Sequence, residues 1–344
     1  MNILYLQSEL MGYHIPILKK YVKKYDDKVL VVYWDKKKLT PFIPPILDQI
    51  KYYKKSDYNR KTLLYLVENI KPDIIRISGW MDKEYLFICK IMKRRGVKVV
   101  VSSDSQLKNT LRQNLGRYYF RLFMHKYFNH VWVAGPYQYG YARRLDFEKE
   151  KIIFNCFSAD IELLGSYFVV GKQTQNHNFI FLGRFEEVKG VLILLKAWDK
   201  ITNKKDWTLT FIGSGSLKEE IASHENIEVK DFMQPEDLAI EIQKYNFLIL
   251  PSLKEPWALV IHEAMSADIP VLATNICGSA PKFIIPSFTG YTCLPNNVDS
   301  LIESISKVLR MDDDQLSKMS RNAYSRFKVI TPEIAAASCL SIYK

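Results

Sequence analysis

The sequence predicts an α/β protein built from two doubly wound domains, each with a parallel β-sheet covered by helices. Three observations support this fold class. Short apolar segments alternate with amphipathic helical segments along the chain, and repeated strand–helix units favour parallel sheets with helices on both faces. The alternation is interrupted at residues 165–177 and then resumes. The length of 344 residues is sufficient for two domains.

The first half of the chain begins with an apolar segment that predicts a strand and continues with helical periodicity. Helices are predicted where apolar residues recur at three- or four-residue spacing. Prolines stop them or interrupt regular structure, as at Pro72 and in residues 41–45. The predicted strands are residues 3–6, 29–33, 74–77, 97–101 and 130–133, and the predicted helices are residues 13–25, 58–70, 83–95 and 110–128.

The second half resumes the alternation after a polar segment. Gly165, Gly171 and residues 172–178 mark the predicted boundary. Strands are predicted at residues 179–182, 208–212, 227–229, 247–250 and 271–273, and helices at residues 191–201, 217–223, 258 onwards, 298–309 and 315–327. We therefore expect a first domain over residues 1–170, a second over residues 171–325 and a ligand-binding cleft between them, beyond the carboxyl ends of the strands.

Composition argues against several classes of protein. The hydrophobic fraction is 48%, as in soluble globular proteins, and no apolar run approaches the roughly 20 residues of a membrane helix. Residues 1–7 lack the basic start and cleavage site of a signal peptide, so we expect a cytoplasmic location. Five scattered cysteines, and six histidines without an HxxxH pair, predict neither a disulfide framework nor a bound metal.

Positive charge is concentrated in the first half. Of a net charge of +12, residues 1–170 hold 30 Lys and Arg against 16 Asp and Glu, whereas residues 171–344 hold 19 against 21. Such a basic surface favours an anionic partner, with a merely solvated lysine-rich surface as the alternative. Arg112, Arg117 and Arg121 interleave with aromatic residues in the predicted helix. That helix either lies on an anionic membrane surface or packs its apolar face on the sheet.

The most informative stretch of the sequence is residues 254–265. It places Glu255 in a loop after the predicted strand 247–250 and Glu263 inside the following helix. Between the two carboxylates lies a helix N-terminus, whose unpaired N–H groups suit a phosphate. A sugar nucleotide carries hydroxyls on both sides of a diphosphate. A loop carboxylate, a row of N–H donors and a second carboxylate therefore match this class of ligand.

This stretch resembles the paired-glutamate motif of the retaining GT-B glycosyltransferases, specifically glycosyltransferase family 4, also called glycosyl transferases group 1. Other segments share the resemblance: Gly183-Arg184 followed by Lys189-Gly190, the strand 209–212 followed by Gly213 and Gly215, and residues 268–274. The similarity covers roughly residues 178–310. It implies that both domains are Rossmann-like and that a C-terminal helix over residues 326–344 crosses back to the first domain.

The resemblance implies catalytic and binding roles for four charged residues of the second domain. Arg184 and Lys189 would neutralise the diphosphate as the sugar departs. Glu263 would accept hydrogen bonds from the ribose hydroxyls. Glu255 would face the donor sugar and stabilise the positive charge that develops on its anomeric carbon.

Other residues are expected to contact the donor without supplying charge. They are Gly183, Gly213, Phe232, Met233, Ala258, Leu259 and Val260. The N–H groups of the last three would bind the diphosphate. Phe232 and Met233 would lie beside the nucleotide base, with core packing as an equal alternative. His262 is expected to be an ordinary residue of the helix face, because its spacing matches no catalytic pattern.

The first domain offers two positions for the donor site. Gly12 follows the first predicted strand, where the family often has two glycines that let the loop approach the phosphates. Asp104 follows the strand ending at Val101, and Ser103 stands before it where many relatives carry histidine. We expect Asp104 at the catalytic cleft, with a helix cap as the alternative.

We therefore expect a metal-independent glycosyltransferase without a tightly bound cofactor. It would transfer a sugar from a UDP-, GDP- or ADP-sugar, with retention of configuration, to a glycan or lipid-linked acceptor, on the inner face of the membrane. A sugar-nucleotide epimerase, a catalytically silent partner subunit and a basic nucleic-acid-binding protein are the alternatives. No recognised nucleic-acid-binding module supports the last.

Overall fold

The computed structural model describes residues 1–36, 43–108, 110–166 and 177–343. The chain divides into a first unit, Met1–Ser158 with Pro332–Lys344, and a second unit, Ala159–Thr331. Each unit contains a parallel sheet with helices, so the predicted α/β fold of two doubly wound domains is confirmed. Most of the expected boundary at residues 165–177, and residues 41–42 of the expected break at 41–45, lie outside the described residues. Residues 43–45 of that break are described and form neither helix nor strand.

The first unit is organised around a parallel sheet with the strand order β3-β2-β1-β4-β5-β6-β7. Its strands within the described part of the chain are β1 (Asn2–Gln7), β2 (Lys28–Tyr33), β3 (Ile50–Lys54), β4 (Ile74–Ser78), β5 (Lys98–Ser103), β6 (His130–Val133) and β7 (Ile152–Ile153). The central strands are continuous apolar runs because both faces of the sheet are covered. Leu4 of β1, for example, is fully buried and lies between Leu30 and Ile75 of the neighbouring strands.

Helices of the first unit begin where the sequence supplies capping groups. Asn59, Asp82 and Thr110 each accept hydrogen bonds from N–H groups of the first helical turn, which satisfies donors that have no partner within the helix. The helices are α1 (Ile15–Tyr25), α2 (Arg60–Ile70), α3 (Lys83–Arg94), α4 (Leu111–Phe123) and α5 (Pro136–Arg144).

The second unit repeats the architecture with the strand order β10-β9-β8-β11-β12-β13. Its described strands are β8 (His177–Arg184), β9 (Trp207–Ser214), β10 (Ile227–Lys230), β11 (Phe247–Leu250), β12 (Val271–Thr274) and β13 (Gly290–Cys293). Its helices are α6 (Ile161–Ser166), α7 (Val191–Lys200), α8 (Lys218–Ala222), α9 (Pro235–Glu241), α10 (Leu259–Ser266), α11 (Ala280–Phe283), α12 (Val298–Leu309) and α13 (Asp313–Phe327).

The last helix, α14 (Pro332–Leu340), belongs to the first unit, where it packs on α1. Lys24 of α1 forms an ion pair with Glu333 of α14. Both side chains are exposed, so this pair contributes little stability. The apolar contact between the two helices is the more important interaction, since Ala335, Ala336 and Cys339 are fully buried.

The segment 110–128, expected to be one long helix, ends earlier than the sequence predicts. Helix α4 stops at Phe123. The Tyr127 N–H then bonds to the Met124 carbonyl at 3.0 Å. This turn carries Phe128 into the core of the first unit, so tertiary packing rather than helical periodicity determines where the helix ends.

Helix α4 also presents apolar side chains outwards. Phe120 is buried in the core, but Leu111, Leu115 and Leu122 are 81%, 71% and 72% exposed. Their four- and seven-residue spacing places them on one stripe of the helix. Packing on the sheet therefore explains why the face of α4 that carries Phe120 is apolar. It does not explain why the outer stripe is apolar.

Several short elements were not predicted. They are β3, β7, β13, α5, α6, α9 and α11. Strand β3 illustrates the reason. It reads Ile-Lys-Tyr-Tyr-Lys, only Ile50 is buried, and the strand lies at the sheet edge. A strand that buries so little carries no strong apolar signal.

Candidate functional site

Parallel strands of the second unit bring several predicted site residues to one edge of its sheet. Strands β8, β9, β11 and β12 all end at this edge. We call it the second-sheet edge. Arg184 is the last residue of β8, and the loop carrying Glu255 follows β11. In open α/β sheets, ligands bind at such carboxyl edges.

Lys189 and Glu255 are in direct contact at the second-sheet edge. The Lys189 ammonium donates a hydrogen bond to the Glu255 carboxylate. The two side chains are only 18% and 10% exposed, so the pair is shielded from solvent. Backbone bonds hold the same segments together, because the Val188 carbonyl accepts hydrogen bonds from the N–H groups of Leu253 and Lys254 at 2.9 and 3.3 Å.

Two glycines allow the backbone to approach closely at the second-sheet edge. Gly190 has a φ of +74°, and a Cβ there would lie 2.0 Å from the Pro251 carbonyl oxygen. Gly213 has a φ of +151°, and a Cβ there would lie 1.9 Å from the Gly183 oxygen. Any side chain at either position would separate the backbones. Gly190 therefore fixes how close the turn carrying Lys189 comes to the end of β11.

Arg184 differs from Lys189 in its surroundings. Its side chain is exposed, and no ion pair joins it to another residue in the part of the chain that the structure describes. One cation at the second-sheet edge is thus held by a carboxylate and the other is open to solvent. The open guanidinium can bind an incoming anion without first losing a partner.

The loop between Glu255 and helix α10 is fixed by backbone hydrogen bonds. The carbonyls of Glu255 and Trp257 accept the N–H groups of Gly278 and Ser279 at 3.1 and 2.8 Å. Ala258 then adopts a left-handed conformation with a φ of +75°, and no side chain caps the helix. The first N–H groups of α10 therefore lack a partner within the helix, which leaves them available to an anion.

Glu263 lies one turn into α10 and is partly buried. Burial, with a smaller contribution from the charge of Asp160, raises the pKa of Glu263 to about 7. The Asp160 carboxylate also accepts the Leu163 N–H at the start of α6, at 3.2 Å. Asp160 was not predicted as a site residue, because a carboxylate before a helix resembles an ordinary cap and only the fold brings it near Glu263.

His262 uses both of its ring nitrogens within the second unit. Nδ1 accepts the Ala159 N–H at 3.1 Å, and Nε2 donates to the Phe327 carbonyl at 3.0 Å. Burial lowers the pKa of the imidazole to about 4. The ring therefore links two distant backbone segments in its neutral form.

Phe232 and Met233 follow β10 in the second unit. Phe232 is 65% exposed, so its alternative interpretation as a core residue is wrong. Met233 is partly buried. An exposed aromatic side chain next to the carboxyl end of a strand is free to stack on a planar ring.

The first unit carries the other two predicted positions, Gly12 and Asp104. Gly12 starts a short 3₁₀ turn, Gly12–His14, shortly after β1. Asp104 directly follows β5 and is exposed. Its alternative as a helix cap is wrong, because Thr110 caps α4 by accepting the Gln113 N–H at 3.3 Å.

A buried arginine near the carboxyl ends of β1, β4 and β5, which we call the first-sheet edge, was not predicted as a site residue. Arg76 of β4 is 2% exposed. Its Nε donates to the Ser102 hydroxyl at 2.6 Å, another guanidinium N–H donates to the Gln7 side-chain oxygen, and the group lies 5.0 Å from the Tyr5 ring centre. No carboxylate forms an ion pair with it among the described residues.

Arg76 has electrostatic consequences for its neighbours. Burial lowers the pKa of His14 well below its usual value, and the Arg76 charge adds to this effect. Burial raises the pKa of Tyr13 to about 12, while Arg76 opposes the rise. An arginine inside an otherwise apolar strand was the sequence signal that could have identified it.

The described residues contain no group of three or more His, Cys, Asp or Glu side chains arranged to hold a metal ion. Within the same part of the chain, no helix has the length and apolar character needed to cross a membrane. The five cysteines are buried and unpaired, and burial raises the pKa values of their thiols.

Residues 167–326 match the model of the family described as Glycosyl transferases group 1. An uncharacterized glycosyltransferase of Haemophilus influenzae is 24% identical over 141 residues, which cover 39% of this chain and 40% of that protein. An uncharacterized glycosyltransferase of Methanocaldococcus jannaschii is 30% identical over 148 residues, 40% of each protein. The chain thus matches about 40% of the length of these curated relatives.

Solved structures share the fold over the full chain. A glycosyltransferase from Rickettsia africae has a TM-score of 0.78 at 16% identity, covering 100% of this chain and 97% of that chain. Anabaena HepE in complex with UDP and glucose has a TM-score of 0.73 at 17% identity, covering 99% and 100%. The GT-B fold class expected from the sequence is therefore confirmed.

Proposed function

We propose that this chain, whose residues 167–326 match the family of glycosyl transferases group 1, transfers a sugar from a nucleotide-sugar donor to an acceptor hydroxyl. The observation that carries the proposal is the shielded contact between Lys189 and Glu255 at the second-sheet edge. The same sheet edge carries a solvent-exposed arginine, and the uncapped start of α10 follows the Glu255 loop. Together they supply cations, N–H donors and a carboxylate for one ligand.

In this proposal the diphosphate is held by three kinds of donor. Arg184 binds it through parallel N–H groups, Lys189 through its point charge, and α10 through the N–H groups of Leu259 and Val260. Lys189 also keeps Glu255 paired before the donor arrives. When the glycosidic bond breaks, negative charge grows on the diphosphate and positive charge grows on the sugar. Lys189 is suited to stabilise the negative charge on the diphosphate, and Glu255 is suited to stabilise the positive charge on the sugar.

Glu263 is proposed to accept the ribose hydroxyls. Its pKa of about 7 means that the free protein holds a mixture of protonated and ionised carboxyl groups near neutral pH. Two hydroxyl donors favour the ionised form. Donor binding should therefore release a fraction of a proton at neutral pH.

Retention of configuration is also part of the proposal, and it rests on the family resemblance. The bond from the anomeric carbon to the diphosphate breaks with its electron pair left on the phosphate oxygen. The acceptor oxygen forms the new bond on the same face of the sugar, and its proton passes to the departing diphosphate. No protein base is needed in this scheme, and no metal is assigned to it.

The ligands and names of proteins with the same fold suggest which donor and acceptor to test first. HepE has been crystallised with UDP-glucose, so UDP-glucose is the first donor to test. Another protein with the same fold is a lipopolysaccharide outer core galactosyltransferase, with a TM-score of 0.67 at 16% identity. We propose a surface glycan or a lipid-linked glycan as the acceptor, bound by the basic first unit.

We further propose that helix α4 contacts an anionic membrane surface from the cytoplasmic side. Its outward stripe of Leu111, Leu115 and Leu122 is apolar. Arg112 and Arg117 on the same helix are matched to anionic headgroups. Such contact would bring the protein to a lipid-linked acceptor without a membrane-spanning helix.

A thermal-shift screen against UDP-, GDP-, ADP- and CDP-sugars tests donor binding, because a ligand that binds the folded state raises its stability. The stabilising donor is then incubated with and without a glycan acceptor, and the anomeric form of the product is read by NMR. Interconversion of the donor without an acceptor would indicate an epimerase. Failure of all four nucleotide classes to stabilise the protein would contradict the proposal.

Glu255→Gln provides the matched test of the site. We expect it to lower kcat by about 100-fold, the scale of losing one transition-state electrostatic contact. Glu187→Gln is the control, because Glu187 lies on the same turn as Lys189 but is exposed. Equal activity of the two variants would show that Glu255 has no role in catalysis.

A further inference from the structure

A cavity with a strongly basic lining lies at the edge of the first sheet opposite the first-sheet edge. Its volume is about 590 Å³, and Lys93, Lys98, His130 and Lys151 contribute to its wall. Lys98 begins β5, whereas Ser103 ends the same strand. At about 3.3 Å per residue the cavity is roughly 17 Å from the first-sheet edge, so it is separate from the predicted donor-binding positions of this unit.

The lysines in this wall are held in place and are only partly neutralised. Lys93 Nζ donates to the carbonyl oxygens of His125 and Phe128 at 2.8 and 2.6 Å. Lys151 pairs with Glu148 at 2.8 Å. Lys98 forms no ion pair with any residue that the structure describes. The wall therefore contains more positive than negative charge.

His130 is incompletely bonded at the same place. Its Nδ1 atom is buried and has no hydrogen-bond partner within the described chain. Burial lowers the pKa of His130, and the charges of Lys98, Lys151 and Lys93 lower it further. Burial and the charge of Lys151 likewise lower the pKa of Lys93. The positive charges of three lysines thus act on the His130 ring, and a bound anion in the cavity would offset them.

A smaller basic cavity, of about 140 Å³, adjoins the first. Both are bordered by Arg121 and Asp146, which form an exposed ion pair at 3.0 Å. Arg117, Arg143 and Arg144 also line the smaller cavity. Arg117 and Arg121 belong to helix α4, so both cavities border the helix that carries the outward apolar stripe.

We propose that the two cavities together form a binding site for a phosphate group, with Lys98, Lys151 and His130 as its principal donors and the arginines around Arg121 at its entrance. A tetrahedral phosphate offers several oxygens to donors that converge from different elements. The group can belong to the headgroup of an anionic lipid or to a soluble phosphate ester. The site is independent of sugar transfer, because it uses none of the residues assigned to the donor.

The test compares two double variants that remove the same charge from the first unit. Lys98→Ser/Lys151→Ser changes the cavity, whereas Lys23→Ser/Lys61→Ser changes exposed lysines on α1 and α2. Each protein is titrated with glycerol 3-phosphate at constant ionic strength, while NMR follows the His130 ring. We expect the cavity variant to bind about ten-fold more weakly than the control. In the wild-type protein, the ligand should raise the pKa of His130.

A second measurement separates the two sources of phosphate. Binding to vesicles of phosphatidylcholine with phosphatidylglycerol is compared for the same two variants. Weaker vesicle binding by the cavity variant alone supports a lipid headgroup as the ligand. A loss confined to glycerol 3-phosphate supports a soluble ester.

Equal affinities of the cavity and control variants for both probes would overturn the proposal. Thermal unfolding of each variant verifies that it is folded. A retained response of the second unit to nucleotide sugar provides an additional check. If no nucleotide sugar stabilises any form of the protein, the phosphate titration is still decisive, because it does not depend on the transferase proposal.

Discussion

The carboxyl edges of the two sheets share the doubly wound architecture but differ in whether a carboxylate pairs with the shielded cation. At the second-sheet edge a shielded lysine is matched by a carboxylate, Lys189 with Glu255. At the first-sheet edge a buried arginine, Arg76, is bonded only to the neutral side chains of Ser102 and Gln7 among the described residues. The difference teaches that the fold determines where a site lies, whereas the side chains at the strand ends determine its chemistry.

The two edges also differ in how closely the backbone is packed. The turn before α7 approaches the end of β11 so closely that Gly190 has no room for a side chain. We expect Gly190→Ala to destabilise the protein by about 4 kcal/mol, because left-handed strain and overpacking add together. Urea unfolding measures the change.

Gly140→Ala is the control for that substitution. Gly140 lies within helix α5 of the first unit, and a Cβ there meets no atom within 4 Å. This variant should be stabilised by about 0.5–1 kcal/mol, since alanine favours a helix over glycine. Similar effects of the two variants would show that the close approach at the second-sheet edge has no special energetic role.

The second prediction concerns Arg76. Arg76→Ala should destabilise the protein by about 3 kcal/mol, because it opens a cavity and leaves Ser102 and Gln7 without their donor. Arg76→Met fills most of the volume and removes a buried charge, so it should be less than half as destabilising. Chemical denaturation of both variants distinguishes packing from charge. Equal losses would mean that the charge itself stabilises the fold.

The third prediction uses the pKa of Glu263, raised to about 7. The folded state binds this proton more tightly than the unfolded chain. Protonation of Glu263 therefore stabilises the folded state. This contribution is fully present below the pKa of the unfolded chain, near 4.5, and is lost as the pH rises through 7. Relative to the wild-type protein, Glu263→Gln should be equally stable at pH 4.5 and more stable at pH 8, by at most about 3 kcal/mol.

Unfolding experiments at several pH values test this difference. The low pKa of His262 acts in the opposite direction, since its contribution is lost as the pH falls from 6.5 towards 4. It is present in both proteins and cancels in the comparison. A constant difference across the pH range would contradict the raised pKa.

The smallest predicted effect is the coupling between Lys189 and Glu255. A double-mutant cycle with Lys189→Met and Glu255→Gln should give about 1–2 kcal/mol, because the pair is largely removed from solvent. The pair Glu303–Lys307 on α12, with atoms 2.8 Å apart and both side chains exposed, is the reference. Its cycle should give a smaller coupling energy, because solvent screens an exposed pair. Equal coupling energies would mean that shielding adds nothing at the second-sheet edge.

Elements that carry a local apolar pattern were predicted correctly from the sequence. The central strands are continuous apolar runs, and strand β11 was placed with its observed bounds, Phe247–Leu250. The turn of Lys189 and the loop of Glu255 were both assigned to strand ends, and parallel pairing then brings them to one edge. Short elements such as β3 were missed because they bury too few side chains to produce a pattern.

The sequence by itself determined the class of fold, the order of its strong strands and helices, and the family resemblance carried by residues 178–310. These depend on apolar periodicity and on motifs of neighbouring residues, which a single chain displays directly. Only the tertiary structure decided that burial, with a smaller contribution from Asp160, raises the pKa of Glu263. It also decided that Arg76 is buried without a carboxylate partner in the described chain, and that Lys98 and Lys151 lie near His130. Electrostatic interactions act through space between residues far apart in sequence, so no local pattern records them.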